Sequence, residues 1–270
     1  MYETIKQTAD FIKEKTSLRP RVAIVLGTGL GNLSNKIDVE LSLEYKDIPN
    51  FPVSTVVGHE GRLIFGHLNG TEVLAMQGRF HYYEGYSMQQ VVFPIRVMKL
   101  LGVEHLLLSN ASGGMNPDFE VGDLMIITDH INLMGTNPLM GPNDDRIGPR
   151  FPDMSEPYNK SLIDEVKTIA RNNGIRYHTG TYAGISGPTF ETPAEYKYIR
   201  TLGADAVGMS TVPENIAARH TGIKVFAISV ITDLGIDGRI IEISHEDVIA
   251  AAKQSEPKLT LIFSELVGSL

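Results

Sequence analysis

Short, nearly uninterrupted apolar runs recur along this chain, separated by stretches of helical period, and this alternation limits the fold more than any other feature. Residues 22–26, 73–76, 105–109, 124–128, 180–185, 206–209 and 224–231 read as strands. Stretches 2–15, 88–101, 160–173, 193–202, 212–221 and 245–267 read as helices. Strands this apolar lack the in–out alternation of a sheet with one wet face, so both faces must be covered. Helices between several of them supply that cover. The expected fold class is α/β: a single domain over 1–270, with a mixed, mostly parallel central sheet flanked by helices. The stretch 132–158, rich in Pro and Gly and without a clear period, is an excursion from that domain, of the kind that carries function or an oligomer contact.

Hydrophobic residues make up 42% of the chain and charged ones 21%, which is ordinary for a globular protein able to bury a large core. The net charge of −8, with no Lys/Arg cluster, argues against a nucleic-acid partner or an anionic membrane surface. It leaves room for one small anion held by local donors. No cysteine is present, which removes disulfides, thiolate catalysis and zinc–thiolate sites. The opening MYETIKQTADFIKEKT is a charged amphipathic pattern with no signal-like apolar segment, and no run is long enough to span a bilayer. The expected location is cytoplasmic.

Three helix starts carry explicit cap chemistry: Thr192-Pro193-Ala194-Glu195, Thr211-Val212-Pro213-Glu214 and Ser244-His245-Glu246-Asp247. Helix N-termini favour anions, and ligands of open α/β sheets sit beyond the carboxyl ends of strands. The residues just before these caps are therefore the places to search. "VLGTGLGNL" follows the first strand, with Gly27, Gly29 and Gly31 in neither the dinucleotide nor the P-loop spacing. A glycine-rich turn whose backbone can approach a ligand remains, with Thr28 offering a hydroxyl; a plain tight turn needing positive φ is the competing, less favoured reading. "SNASGGMNP" (109–117) reads as a second such turn, placing Ala111 and Ser112 beyond a strand end, and "GMSTVPE" (208–214) sets Ser210 before a cap. In "QGRFHYYEGYS" (77–87), an extended backbone puts Arg79, His81 and Tyr83 on one face and Phe80, Tyr82 and Glu84 on the other. Guanidinium, imidazole and phenol on one face suit an oxyanion beside something flat or sugar-like. Together these elements point toward phosphate.

The chain strongly resembles the trimeric purine nucleoside phosphorylases, the family that also holds methylthioadenosine phosphorylase. The resemblance rests on motifs that run in order along nearly the whole chain. They are Leu26-Gly-Thr-Gly-Leu-Gly31, Gly58-His-Glu-Gly-Arg62, Gln77-Gly-Arg-Phe-His-Tyr-Tyr-Glu-Gly85 and Asn110-Ala-Ser-Gly-Gly114. Gly187-Pro-Thr-Phe-Glu-Thr192 and the stretch from Gly203 to Glu214 complete the set. It implies the phosphorylase/nucleosidase type of fold and reversible phosphorolysis of inosine and guanosine, with deoxy forms, to free purine and ribose 1-phosphate. It also implies a homotrimer and no cofactor, phosphate being a co-substrate. Phosphate ligands would be Thr28, Arg79, His81, the Ala111 amide and Ser210, with His59 at the edge. Tyr83, Met209 and His245 would meet the ribose. Phe190, Glu191 and Asp233 would meet the base, and Phe151 would reach a neighbouring subunit's site. Catalytic weight would fall on Asp233, Glu191 and His81. Glu84 is a candidate to orient His81. His67, His105, His130, His178 and His220 match no site position and read as surface or satisfied core histidines.

Asp233 departs from the pattern, because enzymes acting on inosine and guanosine usually carry Asn there. An ionised carboxylate facing the N7 and O6 acceptors would be repelled, so Asp233 either holds a proton or reads a donor at position 6. Methylthioadenosine phosphorylases carry that Asp, but they lack a Glu at 191 and typically show Thr-Thr where this chain has Ser210-Thr211. An adenosine- or methylthioadenosine-preferring enzyme is therefore the alternative expectation. A noncatalytic nucleoside sensor and a dinucleotide oxidoreductase are the readings from other classes. The first sits badly with paired phosphate and base sites, the second with the glycine spacing.

Overall fold

The computed structural model describes residues 1–28, 31–56 and 60–270. Among these, nine strands form one sheet: β1 (Val22–Leu26), β2 (Asp38–Glu44), β3 (Arg62–Leu68), β4 (Thr71–Gln77), β5 (His105–Gly114), β6 (Leu124–Asn132), β7 (His178–Gly184), β8 (Ala206–Gly208) and β9 (Lys224–Leu234). The helices are α1 (Tyr2–Lys15), α2 (Met88–Val91), α3 (Phe93–Leu101), α4 (Lys160–Asn172), α5 (Pro193–Thr201), α6 (Val212–His220) and α7 (His245–Gly268). The sheet order is β2-β3-β4-β1-β5-β8-β7-β6-β9, and β9 pairs back onto β5. Five strands thus close on themselves while β5 also leads out to an open arm. Five of the nine pairings are parallel and four antiparallel, so the parallel majority is narrow.

The decisive topological fact is a change of partner along β5. On one side β9 accompanies it from His105 to Gly114. On the other, β1 pairs only with His105–Leu108, and β8 takes over only at Gly113. Between these points the edge of β5 is left open by two strands that part from it. That is the kind of gap in which α/β proteins bind ligands.

The helices largely begin and end where their periodicity placed them. The run 88–101 divides at Val92, because Pro94 lacks the N–H a continuing helix would use and crowds the preceding turn. Two strands lay outside the sequence reading. β2 is an edge strand exposed along most of its length, so it carries no apolar run. β3 contains Gly66, whose missing Cβ admits the Asp38 carbonyl where the β2–β3 register shifts. The expected turn at 109–117 is corrected: 109–114 is strand, since β9 and then β8 continue to pair with it. The 133–159 stretch holds no helix or strand.

The core is continuous over both sides of the sheet, with α1 against α3, α3 against α6, and α4 against α7. A second, smaller cluster of Met115, Ala183, Tyr196, Ile199, Ala204 and Val207 roots α5 against β7 and β8. Ile228 on β9 is fully buried where β5 and β6 both pair with its strand. Ile228→Ala is expected to cost roughly 2–5 kcal/mol, read as a lowered urea midpoint with unchanged slope.

Candidate active site

A cleft opens at the gap beside β5. It gathers Thr28 from the end of β1, Arg79, His81 and Tyr83 from the segment after β4, and Ala111 from the open edge of β5. Met209 and Ser210 follow β8, Asp233 sits near the end of β9, Phe190 and Glu191 precede α5, and His245 opens α7. His59 lies outside the described residues. Phe151 stands 88% exposed beside Arg150, away from its own chain's cleft.

Arg79 is 2% exposed, and its charge is compensated in a fixed geometry. Nε and Nη2 donate to the two carboxylate oxygens of Glu214, each at 3.1 Å, and Nη1 donates to the Ser109 carbonyl at 2.6 Å. Gly27 is glycine because of this: a Cβ there would lie 2.6 Å from the Ser109 carbonyl and 3.1 Å from Nη1. Glu214 also accepts the Thr211 backbone N–H at 2.8 Å. Thr211 has φ of +66°, a left-handed value that is an outlier for a β-branched residue. It is held there by Glu214 and by Asn110, whose Nδ2 donates to Thr211 Oγ1 at 2.8 Å while its Oδ1 accepts from Ser229 at 2.6 Å. This turn delivers Ser210 to the mouth of the N-terminus of α6, where helix dipole and free N–H groups favour an anion.

His81 donates through Nδ1 to Glu84 at 3.1 Å and stacks on Tyr83 at 4.7 Å between ring centroids. The bond to Glu84 fixes the tautomer. The extended reading holds as far as His81, with Phe80 turned into the core. It fails at Glu84, because residues 82–84 coil into a 3-10 turn that brings the carboxylate back to His81 rather than to the opposite face. Burial lowers the His81 pKa and Arg79 lowers it further, against the hydrogen bond and charge of Glu84, which raise it. Burial alone would raise Glu84, but hydrogen bonds from His81 and Thr55 outweigh it and bring the carboxyl down to about 2.

The other end of the cleft is acidic. Burial raises the pKa of both Glu191 and Asp233, and the charge of Asp233 raises Glu191 further. Tyr196 donates to Asp233 Oδ2 at 2.8 Å, and Thr232 lies 3.1 Å from Oδ1. Between the two ends, Gly187, at φ +65°, brings its loop onto Met209 and Tyr83. Burial pushes the Tyr83 phenol up to about 12, so it remains a hydroxyl. The result is a slot with donors at one end, an aromatic and thioether waist, and two carboxyls at the other.

Sequence reasoning placed Glu214 only as a helix cap, and its pairing with Arg79 spans residues far apart in the chain. The Thr-x-x-Glu box beside Ser210 was the available signal, since a buried Arg requires a carboxylate. Tyr196 left no local signal. Of the histidines set aside, His67 meets Glu40 at 3.2 Å, His178 meets Asp123 at 2.9 Å, His130 meets Tyr158 at 3.1 Å, and His220 meets the Pro149 carbonyl at 3.0 Å. The buried Nδ1 of His105 has no such partner among the described residues.

The phosphorylase superfamily sequence model matches residues 21–268. Purine nucleoside phosphorylase 1 of Geobacillus stearothermophilus is 53% identical over 93% of this chain and 91% of its own. Schistosoma mansoni purine nucleoside phosphorylase, solved in complex with adenosine, superposes with a TM-score of 0.94 at 42% identity, covering 99% of this chain and 97% of that one. Isoform 2 from the same organism, solved with cytosine and ribose-1-phosphate, gives 0.95 at 44% identity, covering 100% and 97%. The chain belongs to the phosphorylase superfamily, among the purine nucleoside phosphorylases.

Glu214→Gln removes the counter-charge of a buried guanidinium. It is expected to destabilise the fold by about 3 kcal/mol, checked by urea unfolding. Glu84 has a folded pKa of about 2 against an ordinary 4.5, so it stabilises above pH 4.5 and that contribution is lost as pH falls toward 2. Glu84→Gln is expected to cost about 3 kcal/mol at pH 7, with the gap to wild type narrowing below pH 4.5 in paired unfolding curves.

Proposed function

We propose that this chain catalyses reversible phosphorolysis of purine nucleosides, with inosine and guanosine, and their deoxy forms, as principal substrates. The observation that carries this reading is the polarity of the cleft: a cationic, donor-rich end on one side of a sugar-sized waist and a carboxyl pair on the other. Phosphate would sit among Thr28, Arg79, His81, the Ala111 amide and Ser210, with His59 at its edge. Ribose would lie across Tyr83 and Met209 with His245 at its 5′-hydroxyl, and the base against Phe190, Glu191 and Asp233.

The difficulty in the reaction is the leaving group. As the C1′–N9 bond breaks, its electron pair goes to the purine and the ribose becomes cationic. Phosphate on the opposite face stabilises that cation and then bonds C1′ with inversion. A protonated Asp233 donating toward N7 neutralises the departing purine, which is general-acid help in a dry site. Glu191 accepts from N1–H of a 6-oxopurine. No cofactor enters the reaction. A cytoplasmic enzyme of purine salvage fits the reading, and no helix of the described residues is long and apolar enough to cross a membrane. The exposed ring of Phe151 suits a homotrimer in which it covers a neighbour's site.

The direct test is phosphate-dependent release of free purine and ribose 1-phosphate from inosine; turnover equally fast without phosphate, or none, refutes the reading. Glu191→Ala is expected to lower kcat/KM for guanosine by about ten- to a hundredfold, the loss of one hydrogen bond to a charged group, with far less effect on the phosphate KM.

A further inference from the structure

Tyr196 was assigned no part in the reaction, yet its surroundings are those of a built device. It is 3% exposed and anchored on α5 in the smaller hydrophobic cluster. Its ring fills space that two glycines leave for it. A Cβ on Gly235 would run into the ring, and one on Gly113 would lie 3.2 Å from the hydroxyl and 2.9 Å from Asp233 Oδ2. The hydroxyl is thus held at one oxygen of Asp233, to which it donates at 2.8 Å. It also interacts with the Glu191 carboxyl. A phenol has a single proton to give, and burial among two carboxyls raises its pKa, so it stays a donor.

We propose that Tyr196 is a positioning residue that sets purine selectivity by making the two oxygens of Asp233 unequal. Oδ2 accepts from Tyr196, whose phenol has no other proton to offer, whereas Thr232, 3.1 Å from Oδ1, can turn its hydroxyl proton to the Ser112 carbonyl at 3.4 Å, so a proton on Asp233 is confined to Oδ1. Asp233 then offers the base one donor and one acceptor. A 6-aminopurine presents the complement, N7 as acceptor and the amino group as donor. A 6-oxopurine presents two acceptors, O6 and N7, and loses one of the two contacts. Tyr196 therefore raises the share of adenosine among the nucleosides this site can cleave. This rests on the phosphorolysis reading above.

The test compares kcat/KM for adenosine and inosine in wild type, Tyr196→Phe, Asp233→Ala and the double variant, at saturating phosphate. Dissociation constants for adenine and hypoxanthine are measured alongside, so that a slow variant still reports. Tyr196→Phe keeps the ring in its slot and removes only the donor, and its inosine turnover reports a folded site. The expected result is a fall in the adenosine-to-inosine ratio of about three- to tenfold, the size of one net hydrogen bond between neutral groups. The adenine-to-hypoxanthine binding ratio moves the same way, and Tyr196→Phe has no effect on either ratio once Asp233 is Ala. Equal loss on both substrates, with the ratios within about twofold, would show that Tyr196 only packs, and the proposal falls. A ratio change that persists with Asp233→Ala overturns the route through Asp233. Wild type that cleaves neither nucleoside with phosphate overturns the phosphorolysis reading itself, which is a different failure from unchanged ratios in an active enzyme.

Discussion

The site depends on one buried ion pair. Taking a guanidinium out of water is costly, and Arg79 tolerates it because Glu214 meets it with both oxygens and the Ser109 carbonyl takes a third bond. The pair does more than neutralise. Glu214 belongs to the first turn of α6 and Arg79 to the segment after β4, so their contact fixes the distance between two pieces of chain that the sheet alone does not join. The same carboxylate accepts from the strained Thr211 amide, and so holds the turn that carries Ser210. One acidic side chain thus aligns a cation, a hydroxyl and a helix terminus.

Around that pair the cleft is a consequence of how β5 changes partners. A strand paired on both sides has no backbone to spare for a ligand. β5 leaves β1 after Leu108 and meets β8 at Gly113, and the cleft forms in the interval. The glycines at the rim serve this geometry in different ways. Gly27 admits the Arg79 guanidinium, and Gly113 admits Asp233 and Tyr196. The electrostatics follow from which strands end there: the β4 and β8 ends bring donors, while the β9 end and the loop before α5 bring carboxyls. The slot therefore has a direction before anything enters it.

Much of this was legible in the sequence because local rules govern it. Continuous apolar runs announced β1, β4, β6 and β9, and cap boxes located the starts of α5, α6 and α7 within a residue. Arg79, His81 and Ser210 were found because each stands at a strand end or before a cap, whereas Glu191 and Asp233 were placed by the family resemblance. What escaped was non-local. β2 has no apolar signature, since an edge strand need not bury both faces. The run 109–114 looked like a turn because small residues can serve either a turn or a crowded strand, and only pairing with β9 decides. Glu214 with Arg79, and Tyr196 with Asp233, join residues whose closeness is a product of the whole sheet.

The partner change along β5 also governs when the pocket can exist. Its walls come from residues 28 to 248, and the strand at its centre is complete only once β9, near the end of the chain, has paired along its full length. No early fragment of the chain holds the two ends of the slot in register, so assembly of the site coincides with assembly of the sheet. Long-range pairing of this kind makes folding slow relative to helical proteins of similar stability. It also ties occupancy to the global equilibrium. A ligand that engages both ends binds only the fully closed sheet, and by mass action each tenfold excess over its Kd adds about 1.4 kcal/mol to the free energy of unfolding. For this chain, a ligand that spans the slot is in effect the last structural element of the fold.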